Sequence, residues 1–315
     1  TPLYTASYLG HLEVIKFLYD HGANTDIHTA TKDGWTPLHA ASYSGHLEVI
    51  KFLYDHGANT DIHTATKIGW TPLHTASYCG HLEVVKFLYE HGADTDIHTA
   101  TKIGWTPLHE ASYSGHLEIV KFLYEHGADV HTATNDGDTP LYTASYLGYL
   151  EVVKFLYDHG ANTDIHTATK IGWTPLHTAS EPGHLEIVKF LCEHGARVEA
   201  PDIFGRTSLF LASARSHVEV LRQLLSHGAA VDIKDRYGST PLLAAVRNGH
   251  ETAVMCLLVL QGPCIQVEDG FGHTLLWWAR KSGNTKVADA VIQFTETRGV
   301  KPLNYTWDAN KTVLN

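Results

Sequence analysis

The sequence predicts an all-α repeat solenoid of about nine helix-turn-helix units. Three observations carry that prediction. The motif Thr-Pro-Leu, or a close relative, begins at Thr1, Thr36, Thr71, Thr106, Thr139, Thr174, Thr207, Thr240 and Thr274, at spacings of 35, 35, 35, 33, 35, 33, 33 and 34 residues. Self-similarity at such a period is the signature of stacked repeats rather than of separate globular domains. Within each period two short apolar segments follow one another at helical spacing, with a glycine between them, and no linker interrupts the series. Length and composition alone, 315 residues with 43% apolar, would also suit two ordinary domains.

The unit at residues 36–70 justifies each element in turn. Thr36 suits a helix N-cap, because its hydroxyl can accept from a free backbone N–H, and Pro37 suits the first helical position, where its missing donor costs nothing. The first helix then runs from Pro37 to about Tyr43, packing through Leu38, Ala41 and Ser42, and Gly45 closes it. A second helix runs from Leu47 to about Asp55. Its Leu47, Val49, Ile50, Phe52, Leu53 and Tyr54 form an apolar arc too wide for one buried face, so units on both sides must cover it. Glu48 and Lys51 lie one turn apart on the polar side. Gly57 ends the helix, and Ala58 to Trp70 alternates through Thr60, Ile62, Thr64 and Thr66 towards Gly69, as an extended, hairpin-like finger with a turn.

These residues carry a specific resemblance. Thr-Pro-Leu-His at 36–39, Ala41, Gly45-His46-Leu47-Glu48-Val49-Ile50 and His56-Gly57-Ala58 resemble the ankyrin repeat almost residue for residue, over about residues 1–296. The resemblance implies helix-turn-helix-finger units stacked into a curved, right-handed solenoid, with fingers and first helices lining a concave binding face. Two departures stand out. Most units have 35 residues rather than the family's usual 33, the extra pair falling in the finger: Ala58-Asn59-Thr60-Asp61-Ile62-His63 compares with Ala128-Asp129-Val130-His131. The family's turn Asp is present at Asp202, Asp235 and Asp269 but is Thr at Thr66, Thr101, Thr134 and Thr169. The last units drift: Ser208 replaces Pro, Ser216 replaces Gly, and Asn284-Thr285-Lys286 replaces His-Leu-Glu. Residues 274–296 are read as a C-terminal cap with a polar outer face, and 297–315 as a tail pinned by Trp307. A chain that starts at Thr1 inside a motif reads as a segment of a longer protein whose upstream domains are missing.

Composition excludes several classes of function. A net charge of −11 argues against nucleic acid, whose phosphates call for clustered Lys and Arg. No run of eighteen apolar residues spans a membrane. Cys79, Cys192, Cys256 and Cys264 share no repeat position and match no zinc spacing, so they read as reduced thiols of a cytoplasmic protein. Most of the 24 histidines recur in four slots: after Thr-Pro-Leu (His39, His74, His109), after the loop Gly (His46, His81, His116), before the second Gly (His56, His91, His126) and in the finger (His63, His98, His131). Stacked helices sit roughly 8–10 Å apart, too far for a ladder of ligands that must each approach a zinc to about 2 Å. The resemblance gives the first slot a hydrogen-bonding role between units. An active site needs one unique arrangement, whereas Ser, His and Asp here mostly recur from unit to unit. No catalytic residue, metal ligand or cofactor site is expected.

By the resemblance, the residues flanking the finger Gly and closing the first helix point into the groove. They are Trp35, Trp70, Trp105 and Trp173; Ile68, Ile103 and Ile171; Lys67 and Lys102; and Tyr8, Tyr43, Tyr78, Tyr113 and Tyr146. Trp and Tyr dominate protein-interface hot spots, so this ladder is the candidate protein-binding surface; the bland alternative packs each Trp on its neighbouring finger. First-helix slots vary between otherwise near-identical units, as in Thr5, Ala40, Thr75, Glu110 and Thr143. The expected function is a protein-binding scaffold, the recognition segment of a larger cytosolic protein. The repeat identity and the ending Asp269-Gly270-Phe271-Gly272-His273-Thr274-Leu275-Leu276-Trp277-Trp278-Ala279-Arg280 are similar to the C-terminal arrays of filamentous-fungal nucleotide-binding receptors. The alternative is a substrate-presenting arm of an enzyme whose catalytic domain lies upstream.

Overall fold

A computed structural model describes residues 1–261 and 267–297. Cys264, Trp307 and the tail from residue 298 lie outside the described residues. The chain divides into two compact units, Thr1–Asp202 and Ile203–Asn315.

The first unit holds six helix pairs: α1 (Pro2–Leu9) with α2 (Leu12–Asp20), α3 (Pro37–Ser44) with α4 (Leu47–Asp55), α5 (Pro72–Cys79) with α6 (Leu82–Leu88), α7 (Pro107–Ser114) with α8 (Leu117–Glu125), α9 (Pro140–Leu147) with α10 (Leu150–Leu156), and α11 (Pro175–Ser180) with α12 (Leu185–Glu193). Helices α1, α3, α5, α7, α9 and α11 pack in a row, each on the next, and α2, α4, α6, α8, α10 and α12 form a second row behind them. The second unit repeats the scheme with α13 (Ser208–Arg215), α14 (Val218–Ser226), α15 (Pro241–Arg247), α16 (Glu251–Gln261), α17 (Leu275–Lys281) and α18 (Thr285–Thr297). Among the described residues there is no strand, only one isolated bridge between Glu268 and Thr274.

The caps form as the residues dictate. Thr36 and Thr71 accept from the backbone of His39 and His74, whose rings return a contact to the cap, and Pro follows each Thr. Gly45 closes α3 with φ 76°, and the His81 ring covers it so closely that a Cβ there would sit 2.4 Å from Nδ1. The core runs between the two rows: Leu38, Ala41, Val49, Ile50 and Leu53 are buried, as are their counterparts in the following pairs.

Two expectations need correction. The apolar arc of α4 is not wholly interior. Phe52 and Tyr54 are half-buried and form an outer aromatic strip, in which Tyr19 meets Phe52 edge-on at 5.8 Å and Phe52 stacks on His56 at 4.0 Å. The triads Tyr54–Phe87–His91, Tyr89–Phe122–His126, Tyr124–Phe155–His159 and Tyr157–Phe190–His194 repeat it. Nor is the finger extended throughout. A 3-10 turn over Ala58–Asp61 folds its first half, which lets His28 reach Asp61 at 3.0 Å. The alternation of Thr and Ile that reads as extended chain places Ile62 in the core and Asp61 beneath the preceding repeat's histidine.

The finger tip shows why Thr can replace the turn Asp. In the second unit Asp235 Oδ1 accepts from the backbone of both Tyr237 and Ser239. In the first, Thr66 Oγ1 accepts from the Trp70 backbone at 3.0 Å, and the Thr66 N–H donates to the Trp70 carbonyl. One hydroxyl closes the loop that a carboxylate closes with two bonds. Successive fingers join through a single backbone hydrogen bond, Lys67 N–H to Asp33 C=O, Lys102 to Ile68, Asn135 to Ile103 and Lys170 to Asp136. Gly69 (φ 96°) allows this approach, since a Cβ there would lie 2.8 Å from the Thr101 Cα.

Candidate functional site

The face formed by the finger tips and first helices of Thr1–Asp202 gathers most of the predicted residues. Each Trp precedes an N-cap Thr, and two of them are held from both sides: the N–H groups of Trp70 and Trp105 donate to Thr66 and Thr101, and their carbonyls receive the His39 and His74 rings at 3.0 and 3.2 Å. Each Tyr sits in the last turn of a first helix, and the carbonyls of Tyr8, Tyr43, Tyr78 and Tyr146 receive the loop histidine of the next repeat, as Tyr43 receives His81 at 2.9 Å; Tyr149 takes the histidine's place after Tyr113. Backbone bonds between repeats thus set the pitch of the aromatic row.

The rings touch in series. Tyr8 stacks on Tyr43 at 6.0 Å; Trp35 meets Tyr43 at 5.8 Å and Trp70 at 6.3 Å; Trp70 meets Tyr78 at 5.3 Å; Tyr78 stacks on Tyr113 at 6.5 Å; and Trp105 meets Tyr113 at 5.1 Å. The four Trp rings are half-buried against these neighbours, so they both brace the face and present an edge on it. Ile68, Ile103 and Ile171 stand out by 56%, 61% and 46%, and Lys67 and Lys102 are exposed beside them. Tyr146 is also exposed, but Asp138 occupies the Trp slot before it and interrupts the row. Trp173, beyond that interruption, donates its indole N–H to Asp202 at 3.2 Å.

One residue of this face stands out from its chemical setting. Glu110 on α7 is 2% exposed, and among the described residues no hydrogen bond or ion pair reaches its carboxylate. Burial pushes its pKa up to about 8. It lies one turn before Tyr113 and acts on the neighbouring helix: the Tyr78 phenol is raised by burial, then by Tyr113, Cys79 and Glu110, and the Cys79 thiol is pushed to about 11 by burial and by Glu110. Cys79 is therefore a protonated, poor nucleophile. The sequence shows Glu110 in a slot held by Thr or Ala in the other repeats of Thr1–Asp202; only packing shows that the slot is buried.

The histidine slots are occupied by partners, except that no hydrogen bond or ion pair reaches the His98 ring among the described residues. Nδ1 of His39, His74, His109 and His177 lies 2.9 Å from the N-cap hydroxyl. The first three rings span to the next finger's carbonyl, and burial lowers their pKa to about 4. His56, His91 and His126 bond the Phe carbonyl one turn back. His28, His63 and His131 meet Asp61, Asp96 and Asp164 of the following repeat. Among the described residues no three His, Cys, Asp or Glu side chains converge to hold a metal, and no helix is long and apolar enough to cross a membrane.

Comparison with known proteins agrees with this architecture. The family model for ankyrin repeats, comprising three copies, matches residues 1–64, 58–134, 128–202 and 197–269. No curated protein matches the chain.

Proposed function

Because the chain belongs to the ankyrin-repeat family, whose members generally mediate protein–protein interaction on a typically non-catalytic scaffold, we propose that it binds a protein partner through the finger and first-helix face of Thr1–Asp202. The observation that carries this reading is the contiguous series of seven rings from Tyr8 to Trp105, edged by the exposed Ile68 and Ile103. Exposed apolar surface of that kind is what interfaces use, and Trp and Tyr supply contact area at small entropic cost. Variation of the first-helix slots on a constant core supports the same reading.

The role proposed for it is recognition within a larger cytosolic protein, which fits the free thiols at Cys79, Cys192 and Cys256. The test is direct. Trp70→Ala with Trp105→Ala should keep most of the helical circular dichroism and lose capture of partners from extracts of the source cells. Capture at wild-type level by the folded double variant would refute this surface.

A further inference from the structure

The lysines of the first unit fall into two classes. Each second helix holds its lysine in an ion pair with the Glu three residues before it: Lys16, Lys51, Lys86, Lys121, Lys154 and Lys189 lie 2.7–2.9 Å from Glu oxygens. The finger lysines Lys32, Lys67, Lys102 and Lys170 are exposed, and among the described residues no ion pair or hydrogen bond reaches their ammonium groups. Each stands three residues before a Trp, in Lys-Asp-Gly-Trp at 32–35 and Lys-Ile-Gly-Trp at 67–70, 102–105 and 170–173. The fingers that lack the Trp also lack the lysine: Asn135 precedes Asp138, Ile203 precedes Arg206, Arg236 precedes Ser239 and Gly270 precedes His273. Arg236 alone of these keeps a cation in the slot. The lysine therefore goes with the ring, not with the scaffold.

Three of these lysines stand on consecutive fingers beside the ring series. Lys102 N–H donates to Ile68 C=O at 3.0 Å and Lys67 N–H to Asp33 C=O at 2.8 Å, so the tips carrying Lys32, Lys67 and Lys102 adjoin in order. Asp33 is the one acid in those three tips. Glu110 of the neighbouring first helices is buried with its pKa raised to about 8, so near neutral pH it is largely protonated and does not cancel the lysines. Acids elsewhere on the surface are screened over about 8 Å at physiological salt. A chain of net charge −11 thus carries a local strip that is basic, edged by the exposed Ile68 and Ile103 and by half-buried Trp rings.

We propose that this strip takes an acidic segment of the partner protein in polyproline-II conformation, with a carboxylate at every third residue facing Lys32, Lys67 and Lys102. The residues between the acids then rest on the Trp and Ile edges. The assignment rests on the protein-binding reading above and names the partner's chemistry. Charge complementarity selects the acid, since these cations have no partner of their own and complementary charge fixes specificity and register. Spacing selects the conformation. Stacked helices sit roughly 8–10 Å apart, and the lysines recur once per repeat. Polyproline II turns once in three residues at about 3.1 Å each, roughly 9 Å per turn, and brings every third side chain to one face. A β-strand, whose side chains alternate, would turn every second acid of that series away. Segments of this conformation also dock in aromatic-lined grooves.

The experiment titrates the full chain with an acetylated, amidated peptide of four Glu-Pro-Pro triplets, followed by tryptophan fluorescence and isothermal titration. The glutamine and lysine counterparts, and a peptide of the same composition with its Glu residues in one block, serve as the other arms. Wild-type protein should bind the spaced acidic peptide about ten-fold more tightly than the glutamine peptide, the worth of three surface ion pairs together. That ratio should shrink as salt is raised. Lys67→Gln with Lys102→Gln should bring it below about three-fold; both side chains are exposed and the finger bonds use only their backbone N–H groups, so the fold does not depend on them. Lys51→Gln with Lys86→Gln removes the same charge from the second helices and should leave the ratio unchanged. The proposal is overturned if wild type binds none of the peptides, binds the acidic and glutamine forms equally, prefers lysine, or takes the blocked peptide as tightly as the spaced one. It is overturned equally if the preference survives in Lys67→Gln/Lys102→Gln, or if phosphatidylserine vesicles bind where the acidic peptides do not. These results are separable from the broader reading. Loss of partner capture in the Trp70/Trp105 variant without any acidic preference in the wild type removes the acidic segment and leaves the protein-binding face standing. Unchanged capture in that variant removes the face itself.

Discussion

At the scale of single residues, two kinds of buried titratable group pull stability in opposite directions with pH. His39, His74 and His109 are held neutral, with folded pKa values near 4 against 6.5 in the free side chain. The unfolded chain takes up their protons first, so their contribution is complete above about pH 6.5 and is lost as pH falls towards 4. Roughly 2–3 kcal/mol per ring is at stake, and a midpoint that falls steeply between pH 6.5 and 4.5 in urea titrations is the expected result. Glu110 behaves conversely. Its pKa is raised from 4.5 to about 8, so the folded state loses ground as pH rises through that window. Glu110→Thr should therefore stabilise the protein at pH 8 by roughly 2–4 kcal/mol and far less at pH 4.5. Equal effects at the two pH values would show that its burial is not electrostatically costly. Glu110 was visible in the sequence as the odd member of a Thr/Ala series, but its burial was not, because that depends on the first helices 35 residues before it and 33 after it.

At the scale of the element, the two helices of a pair divide the work. Leu53 of α4 is fully buried between repeats, and Leu53→Ala should cost about 2–5 kcal/mol in chemical denaturation. Phe52 contacts Tyr19 and His56 on the half-exposed outer strip, so Phe52→Ala should cost about half as much or less, although its side chain is larger. A larger loss at Phe52 than at Leu53 would contradict that division. The helix boundaries were legible because Thr, Pro and Gly fix them chemically; α4 runs over Leu47–Asp55, the span read from the sequence. The finger was less legible. Its alternating Thr and Ile satisfy an extended pattern equally well, and only the contact of His28 with Asp61 across repeats selects the 3-10 turn. Gly69→Ala tests the tip: the φ of 96° and the 2.8 Å approach to Thr101 both oppose a side chain. The expected loss is about 1–3 kcal/mol.

At the scale of the whole molecule, the described repeats pack mainly on their neighbours in sequence within each compact unit, so stability is a sum of local and junction contributions. Leu123→Ala should raise amide hydrogen exchange most in α8, then in α6 and α10, with decreasing effect further along. Uniform acceleration throughout Thr1–Asp202 would point instead to one cooperative block. The repeat architecture was the most legible property of all, since it needs only periodicity. The aromatic row was legible as a set of slots, while its continuity from Tyr8 to Trp105 depends on ring orientations that no linear pattern encodes.

The bonds that join one finger to the next are made almost entirely by backbone atoms and by side chains common to each copy, as in Lys67 to Asp33 and Lys102 to Ile68. Two copies from the series starting at Thr36, Thr71 and Thr106 can therefore be spliced together, or one removed, without creating a mismatched joint. A gene built this way can change its number of copies by recombination between them, and each 35-residue gain would lengthen the ring series by one Trp and one Tyr. The reach of the binding face, and with it the choice of partner, can thus be altered in whole-repeat steps that leave the stacking chemistry untouched.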